Sequence, residues 1–217
     1  VHKSTAYRLV STLRQFGYVD QDEETEKYFL GLKPLELSSI IKERLDIKDI
    51  IHPYLEELAD KTNETVHLAI REGNEIVYID KVESKHTIRM YSRFGARAPL
   101  YCTALGKCLL AFGPEELIRN WTSKDTLPQR TPNTIKTGKE LAEELKRVRE
   151  QGYALNREEF EPGIRCIGVP VLNKKGRAIS AISISIPSFR LTEERVQELI
   201  PIIIETRDIV SEKVKYL

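Results

Sequence analysis

Long apolar runs are missing from this chain of 217 residues. The longest are short pieces such as Cys108–Phe112, far below the ~18 apolar residues that a membrane span needs. The first residues also lack the pattern of a signal sequence. No membrane partner is expected. An excess of one charge is missing too: 34 Lys and Arg stand against 33 Asp and Glu, so the molecule has no global field that would draw it to nucleic acid, and any such surface must be local. Cysteine is scarce. Cys102, Cys108 and Cys166 form an odd set without a Cys-x-x-Cys pair, which argues against a disulfide framework or a zinc knuckle and for a reducing compartment, the cytoplasm. The four histidines, His2, His52, His67 and His86, are scattered without metal-ligand spacing, and no Gly-rich phosphate loop occurs. Neither metal nor cofactor is expected. The single methionine is Met90 and the chain opens at Val1, so a natural N-terminal portion is expected to be missing.

What is present suffices for one full core and a smaller second one, since 41% of residues are apolar and 31% charged. Ala6, Leu9, Val10, Leu13 and Phe16 form one stripe of a helix that Gly17 stops. Tyr18-Val19 and Tyr28-Phe29-Leu30 then read as two short strands around an acidic loop. Pro34 opens a helix with the stripe Leu37, Ile40, Ile41 and Leu45, and a further helix carries Ile47 to Ala59, with Pro53 expected to bend or restart it. The hairpin Thr65–Arg71 with Glu75–Val82 follows, then a possible strand at Thr87–Tyr91. Helices are predicted at Thr103–Phe112, Pro114–Trp121 and Gly138–Gln151, and strands at Tyr153–Asn156, Arg165–Leu172 and Ala178–Ile186. A last helix starts at Thr192, with a kink expected at Pro201. Helices bracketing hairpin-connected strands make the larger unit α+β, with a mainly antiparallel sheet and a boundary near Asp46.

The first helix has a dry face and a donor-rich one. Lys3, Ser4, Thr5, Tyr7 and Arg8 lie on its polar side, and no acid precedes Asp20, so residues 1–19 carry +3 from Lys3, Arg8 and Arg14. Hydroxyls and guanidinium groups at a helix start suit phosphate and base-edge contacts. A merely solvated face accounts for the pattern equally well. The loop from Asp20 to Lys27 is acidic and would be repelled by phosphate.

Side-chain alternation gives the two late strands one small face and one greasy face. Cys166, Gly168 and Pro170 oppose Ile167, Val169 and Val171 along one strand, and Ala181, Ser183 and Ser185 oppose Ile182, Ile184 and Ile186 along the other. A turn centred on Lys174 and Lys175 would pair Cys166 with Ser183 and Gly168 with Ala181, gathering the small residues into a shallow floor. That floor leaves room for a ligand, although a solvent-facing sheet side would have the same composition. Thr103 is a plausible N-cap, and free N–H groups at Ala104, Leu105 and Gly106 would favour a carboxylate at the helix start. Gly106 reads equally as a packing residue. Met90 would make an apolar wall, while Arg89, Arg93 and Arg97 could pair with an acid or stay solvated.

Several fragments resemble one known family, the isocitrate-lyase-regulator (IclR) type of bacterial transcription factor. Lys3-Ser4-Thr5-Ala6-Tyr7-Arg8-Leu9 is similar to its recognition helix, and Gly17-Tyr18-Val19 with Tyr28-Phe29-Leu30-Gly31-Leu32 to its wing. Leu55-Glu56-Glu57-Leu58-Ala59, Thr65-Val66-His67-Leu68, Thr103-Ala104-Leu105-Gly106-Lys107, Gly163-Ile164-Arg165-Cys166-Ile167 and Ala181-Ile182-Ser183-Ile184-Ser185 follow in the family's order. The resemblance implies a partial winged helix-turn-helix over residues 1–34, a linker helix over 35–45 and a GAF-like effector domain over 46–217. The helices that precede the recognition helix in such proteins are absent from this chain. It further implies a ligand-responsive transcriptional regulator that binds a double-stranded DNA operator in its full-length form, assembles as a homodimer or tetramer and takes a small carboxylate or sugar-acid effector. Effector contacts carried over by motif are Ala104, Leu105, Cys166, Ser183 and Ser185, with Asn156 and Met90 as weaker transfers. Asn156 stands where some relatives have an acidic residue, which would alter ligand preference.

Two rivals remain at this point. A stand-alone metabolite sensor could act through protein contacts alone. An enzyme acting on a small acid could use a Cys166–His67 pair or Ser183 or Ser185 as nucleophile, but none of these sits in a Gly-x-Ser-x-Gly elbow or another activating context, so no catalytic residue is assigned.

Overall fold

The computed structural model describes residues 1–43 and 46–216, which fall into two compact units, Val1–Asp46 and Ile47–Leu217. In the first, α1 (Lys3–Gln15) leads through Gly17, whose φ of +73° suits glycine, into the antiparallel hairpin of β1 (Val19–Gln21) and β2 (Tyr28–Leu30). The Asp22 carboxylate accepts from the N–H groups of Glu24 and Thr25 and from the Thr25 hydroxyl, which tightens the acidic loop and holds this carboxyl below its usual range. The apolar stripe of α1 is not buried: Leu9 is 59% and Phe16 62% exposed. Helix α2 (Lys33–Glu43) carries Leu37 and Ile40 of the linker stripe; the remainder of the expected 35–45 linker, including Leu45, lies outside the described residues.

The second unit holds a six-stranded, wholly antiparallel sheet in the order β5-β4-β3-β8-β7-β6, built from β3 (Thr65–Glu72), β4 (Glu75–Val82), β5 (Arg97–Pro99), β6 (Ala154–Arg157), β7 (Ile164–Leu172) and β8 (Ala178–Pro187). One face takes α4 (Ala104–Ala111), behind which lie α5 (Glu115–Thr122) and α6 (Gly138–Gln151). The other face takes α7 (Glu193–Val214), which packs on β7 and β8. Helix α3 (Asp46–Thr62) buries Ile51, Leu55 and Leu58. Neither Pro53 nor Pro201 divides its helix: α3 and α7 each continue through as one element, so the restart expected at Pro53 does not occur.

Three features place the site. Residues Ile167, Val169, Val171, Ile182, Ile184 and Ile186 are fully buried on the greasy side of the sheet, as their alternation predicts. The β7–β8 register differs from the expected one. Cys166 stands opposite Ser185 and Gly168 opposite Ser183, because the turn spans five residues between Leu172 and Ala178, with Gly176 at φ +70°, and a bulge at Val171/Leu172 adds one further step. The two single-residue displacements sum to two, so every side chain keeps its face. Finally, Thr87–Tyr91 form no strand. One carbonyl of this stretch, Ile88 O, is taken by the Arg190 guanidinium at 3.0 Å, and Ser92 O just beyond it by the Lys81 ammonium at 2.7 Å, while residues 83–96 run as a loop to β5.

Two glycines set the start of α4, Gly168 where the helix meets the sheet and Gly106 where it meets the segment that follows β5. A Cβ on Gly106 would stand 2.2 Å from the Leu100 carbonyl oxygen, and one on Gly168 would stand 2.9 Å from the carbonyl carbon of Ala104. Both neighbours are backbone and cannot step aside. Gly106→Ala is therefore expected to cost about 1–3 kcal/mol, the range for overpacking, and to lower the thermal midpoint, which calorimetric melts would record.

Candidate functional site

Cross-strand pairing assembles the floor in two rows. Asn156, Cys166, Ser185 and Thr65 stand side by side across β6, β7, β8 and β3, and next to them Ala154, Gly168, Ser183, His67 and Lys81 run from β6 to β4. Over this floor lies a hollow lined by Tyr78, Met90, Thr103, Ala104, Leu105, Asn156, Phe160, Glu161, Ile164, Cys166, Ser183 and Ser185. Of the nine residues expected to contact an effector, eight therefore surround one hollow. Gly106 does not: its N–H donates to the Thr103 hydroxyl at 3.0 Å, so it is not a free donor, and its Cα faces Leu100. The packing reading of Gly106 holds.

The capped helix start leaves the N–H groups of Ala104 and Leu105 without an acceptor among the described residues, while Lys107 N–H bonds back to Thr103 O. The hydroxyls of Tyr78 and Ser183 likewise have no partner among the described residues. Ser185 differs, since its Oγ lies 3.2 Å from Nδ1 of His67 and accepts from the Cys166 thiol at 3.3 Å. Asn156 has both ends of its amide held by backbone. Its amide donates to Cys102 O at 2.5 Å and its carbonyl accepts from Glu159 N–H at 3.1 Å, which makes it a wall rather than a free reader. Arg89 pairs with Glu83 and Arg97 with Glu72 and Glu75, Arg93 lies over Tyr91, and none of the three lines the hollow. On α1, Lys3, Ser4, Thr5, Tyr7 and Arg8 are all exposed.

Sequence reasoning missed the rim and the clamp. Phe160 and Glu161 from the segment before β7, with Ile164 at the start of β7, close the mouth, and Pro162-Gly163 between them is the turn signal that could have placed them. Lys107 is 1% exposed, and its ammonium donates to Glu159 at 2.7 Å, Glu144 at 2.9 Å and Leu155 O. Burial pushes the Glu144 carboxyl up, but the Lys107 charge and hydrogen bond, joined by Arg147, outweigh it and hold it below the usual range. A charge buried among partners from α6 and the β6–β7 connection locks α4 to both.

Neither thiol nor imidazole is activated. Burial pushes Cys166 up to about 11 and Cys102 and Cys108 to about 12. His67 and Cys166 both reach Ser185, and no bond joins them to each other. At pH 8 all three thiols of the folded protein should react with a chromogenic disulfide reagent far more slowly than after denaturation; a fast-reacting thiol in the native state would contradict this. Burial, with the Lys81 charge adding to it, takes His67 from its ordinary 6.5 down to about 3. The native state thus holds the ring neutral while the unfolded chain protonates it. Its contribution to stability is complete above pH 6.5 and drains away as pH falls toward 3. Urea titrations across that window should show a shallower pH slope in His67→Gln, by up to about 1.4 kcal/mol per pH unit, and equal slopes would contradict the assignment.

Comparison with known proteins points one way. The family profile described as bacterial transcriptional regulator IclR C-terminal matches residues 40–212. The HTH-type transcriptional regulator KdgR of Escherichia coli K12 is 42% identical over 198 residues, covering 91% of this chain and 75% of that protein. XynR of the same organism, also an HTH-type transcriptional regulator, is 40% identical over 191 residues, covering 88% and 76%. The crystal structure of Thermotoga maritima IclR matches with a TM-score of 0.82 at 38% identity, over 98% of this chain and 86% of that one. These relatives are named for the control of transcription and not for a reaction, so the enzyme alternative falls away. A shared fold, a shared profile and this level of identity together establish that the chain belongs to the IclR family of bacterial transcriptional regulators.

Proposed function

We propose that this regulator is switched by a small carboxylate or sugar acid held in the hollow at the start of α4, and that its full-length form reads a double-stranded DNA operator through α1. One observation carries the effector half. Four donors, the hydroxyls of Tyr78 and Ser183 and the N–H groups of Ala104 and Leu105, belong to residues lining the hollow and have no acceptor among the described residues. Donors gathered at a helix N-terminus favour an acceptor-rich anion. Glu161 on the rim disfavours a second negative charge and suits the hydroxylated, uncharged end of a sugar acid. The operator half is supported by the exposed Lys3, Ser4, Thr5, Tyr7 and Arg8 on one helix of a unit that carries no acid before Asp20.

An effector shifts operator affinity only by binding one arrangement of the assembly more tightly than another. Paired recognition helices spaced to the DNA repeat, in a homodimer or tetramer, supply two such arrangements. The place of work is then the bacterial cytoplasm, where the chromosome lies.

Titration calorimetry with gluconate and lactate tests the effector half. Ser183→Ala removes a hydroxyl that no protein group uses, so folding should persist while affinity for the binding acid falls about tenfold, equal to about 1.4 kcal/mol. Equal affinity in the variant, or no heat with either acid in the wild type, would overturn the assignment.

A further inference from the structure

We propose that Ser92, which lies outside the hollow, sets the direction in which the Ser185 hydroxyl points its hydrogen inside it, acting through the ring of His67 as a positioning residue. The effector reading enters only as the source of the acceptor that this hydrogen meets.

His67 lies between the two serines. It is fully buried, with Nε2 2.8 Å from the Ser92 hydroxyl and Nδ1 3.2 Å from that of Ser185. Burial keeps the ring neutral, so one nitrogen donates and the other accepts. Two arrangements exist. In the first, Ser92 donates to Nε2 and Nδ1–H donates to Ser185. Ser185 then accepts from both His67 and the Cys166 thiol, and its own hydrogen is left for the hollow that it lines. In the second, Nε2–H donates to Ser92, Ser185 spends its hydrogen on Nδ1, and the hollow loses a donor.

Two observations select the first. Each arrangement leaves one hydroxyl hydrogen without an acceptor among the described residues: in the first it is that of Ser185, which lines the hollow where a ligand can meet it, and in the second that of Ser92, 7% exposed and outside the hollow, where its loss is not made good. The Lys81 ammonium lies on the Ser92 side, donating to Ser92 O at 2.7 Å and to Glu83 at 2.7 Å; the Lys81 charge acts on the ring more strongly than the opposing Glu83, and the balance favours the bare, electron-rich nitrogen at Nε2. Tyr78 packs edge-on against the ring with centroids 5.1 Å apart, which fixes its plane. The hollow then presents hydrogens from Ser183, Ser185, Tyr78 and the helix start together, and discriminates against ligands that offer a donor at the Ser185 position.

Nitrogen-15 spectra of the His67 ring in the whole chain decide this without any ligand. The expected result is a protonated Nδ1 and a bare Nε2 in the wild type, a diminished Nδ1–H population in Ser92→Ala, and recovery in Ser92→Thr, which keeps the hydroxyl. A protonated Nε2 in the wild type, or a ring unchanged by Ser92→Ala, would overturn the proposal. Gluconate calorimetry supplies the second readout, with affinity falling about three- to tenfold in Ser92→Ala and restored in Ser92→Thr. A shifted ring with unaltered gluconate affinity would also overturn it. Absence of gluconate binding by the wild type would count against the effector reading alone, and the spectra would still decide the ring.

Discussion

The start of α4 lies so close to the sheet that no side chain fits between them. A Cβ on Gly168 of the strand would strike the helix backbone at Ala104, and one on Gly106 of the helix would strike the backbone of Leu100, in the segment that leads from β5 into the helix. That contact distance gives the hollow its shape. A helix standing farther off would leave its unbonded N–H groups to water, whereas here Ala104 and Leu105 share one cavity wall with Ser183, Ser185 and Cys166. The wall is thus mostly main chain on one side and short side chains on the other, and its geometry is set by packing that does not depend on a ligand.

The helix is held in that place from its far side. Lys107, the residue after Gly106, gives its ammonium to Glu144 of α6, to Leu155 O of β6 and to Glu159 just beyond it. Glu159 N–H in turn donates to Asn156, whose amide reaches Cys102 O ahead of the helix. A closed circuit of polar contacts therefore joins the helix start, the last strand of the sheet and the segment that brings Phe160 and Glu161 to the rim. Breaking a buried ion pair by removing one partner typically costs about 3–5 kcal/mol, so the rim is as firmly set as the floor.

Most of this fold could be read from spacing. Leu141, Leu145 and Val148 mark the buried face of α6 at helical intervals, and the isoleucines of β8 alternate with its small residues, as burial requires of a strand covered on both sides. The face occupied by Cys166, Ser183 and Ser185 was legible for the same reason. Their partners were not, because register depends on the turn, and neither the five-residue turn after Leu172 nor the bulge at Val171 leaves a periodic trace. The loop through Thr87–Tyr91 alternates like a strand, but Ile88 O within it and Ser92 O just beyond it are claimed by Arg190 and Lys81. Lys107 was hidden by its own chemistry, since a lysine in an apolar run reads as a solvated residue until folding brings two carboxylates to it.

The floor contains a thiol that stays a thiol. With the proton of the half-buried Cys166 held well above neutral, and with Cys102 and Cys108 buried, peroxide and disulfide reagents find little thiolate to attack. The floor of the hollow would therefore keep its chemistry under mild oxidation, with no cysteine there to register it.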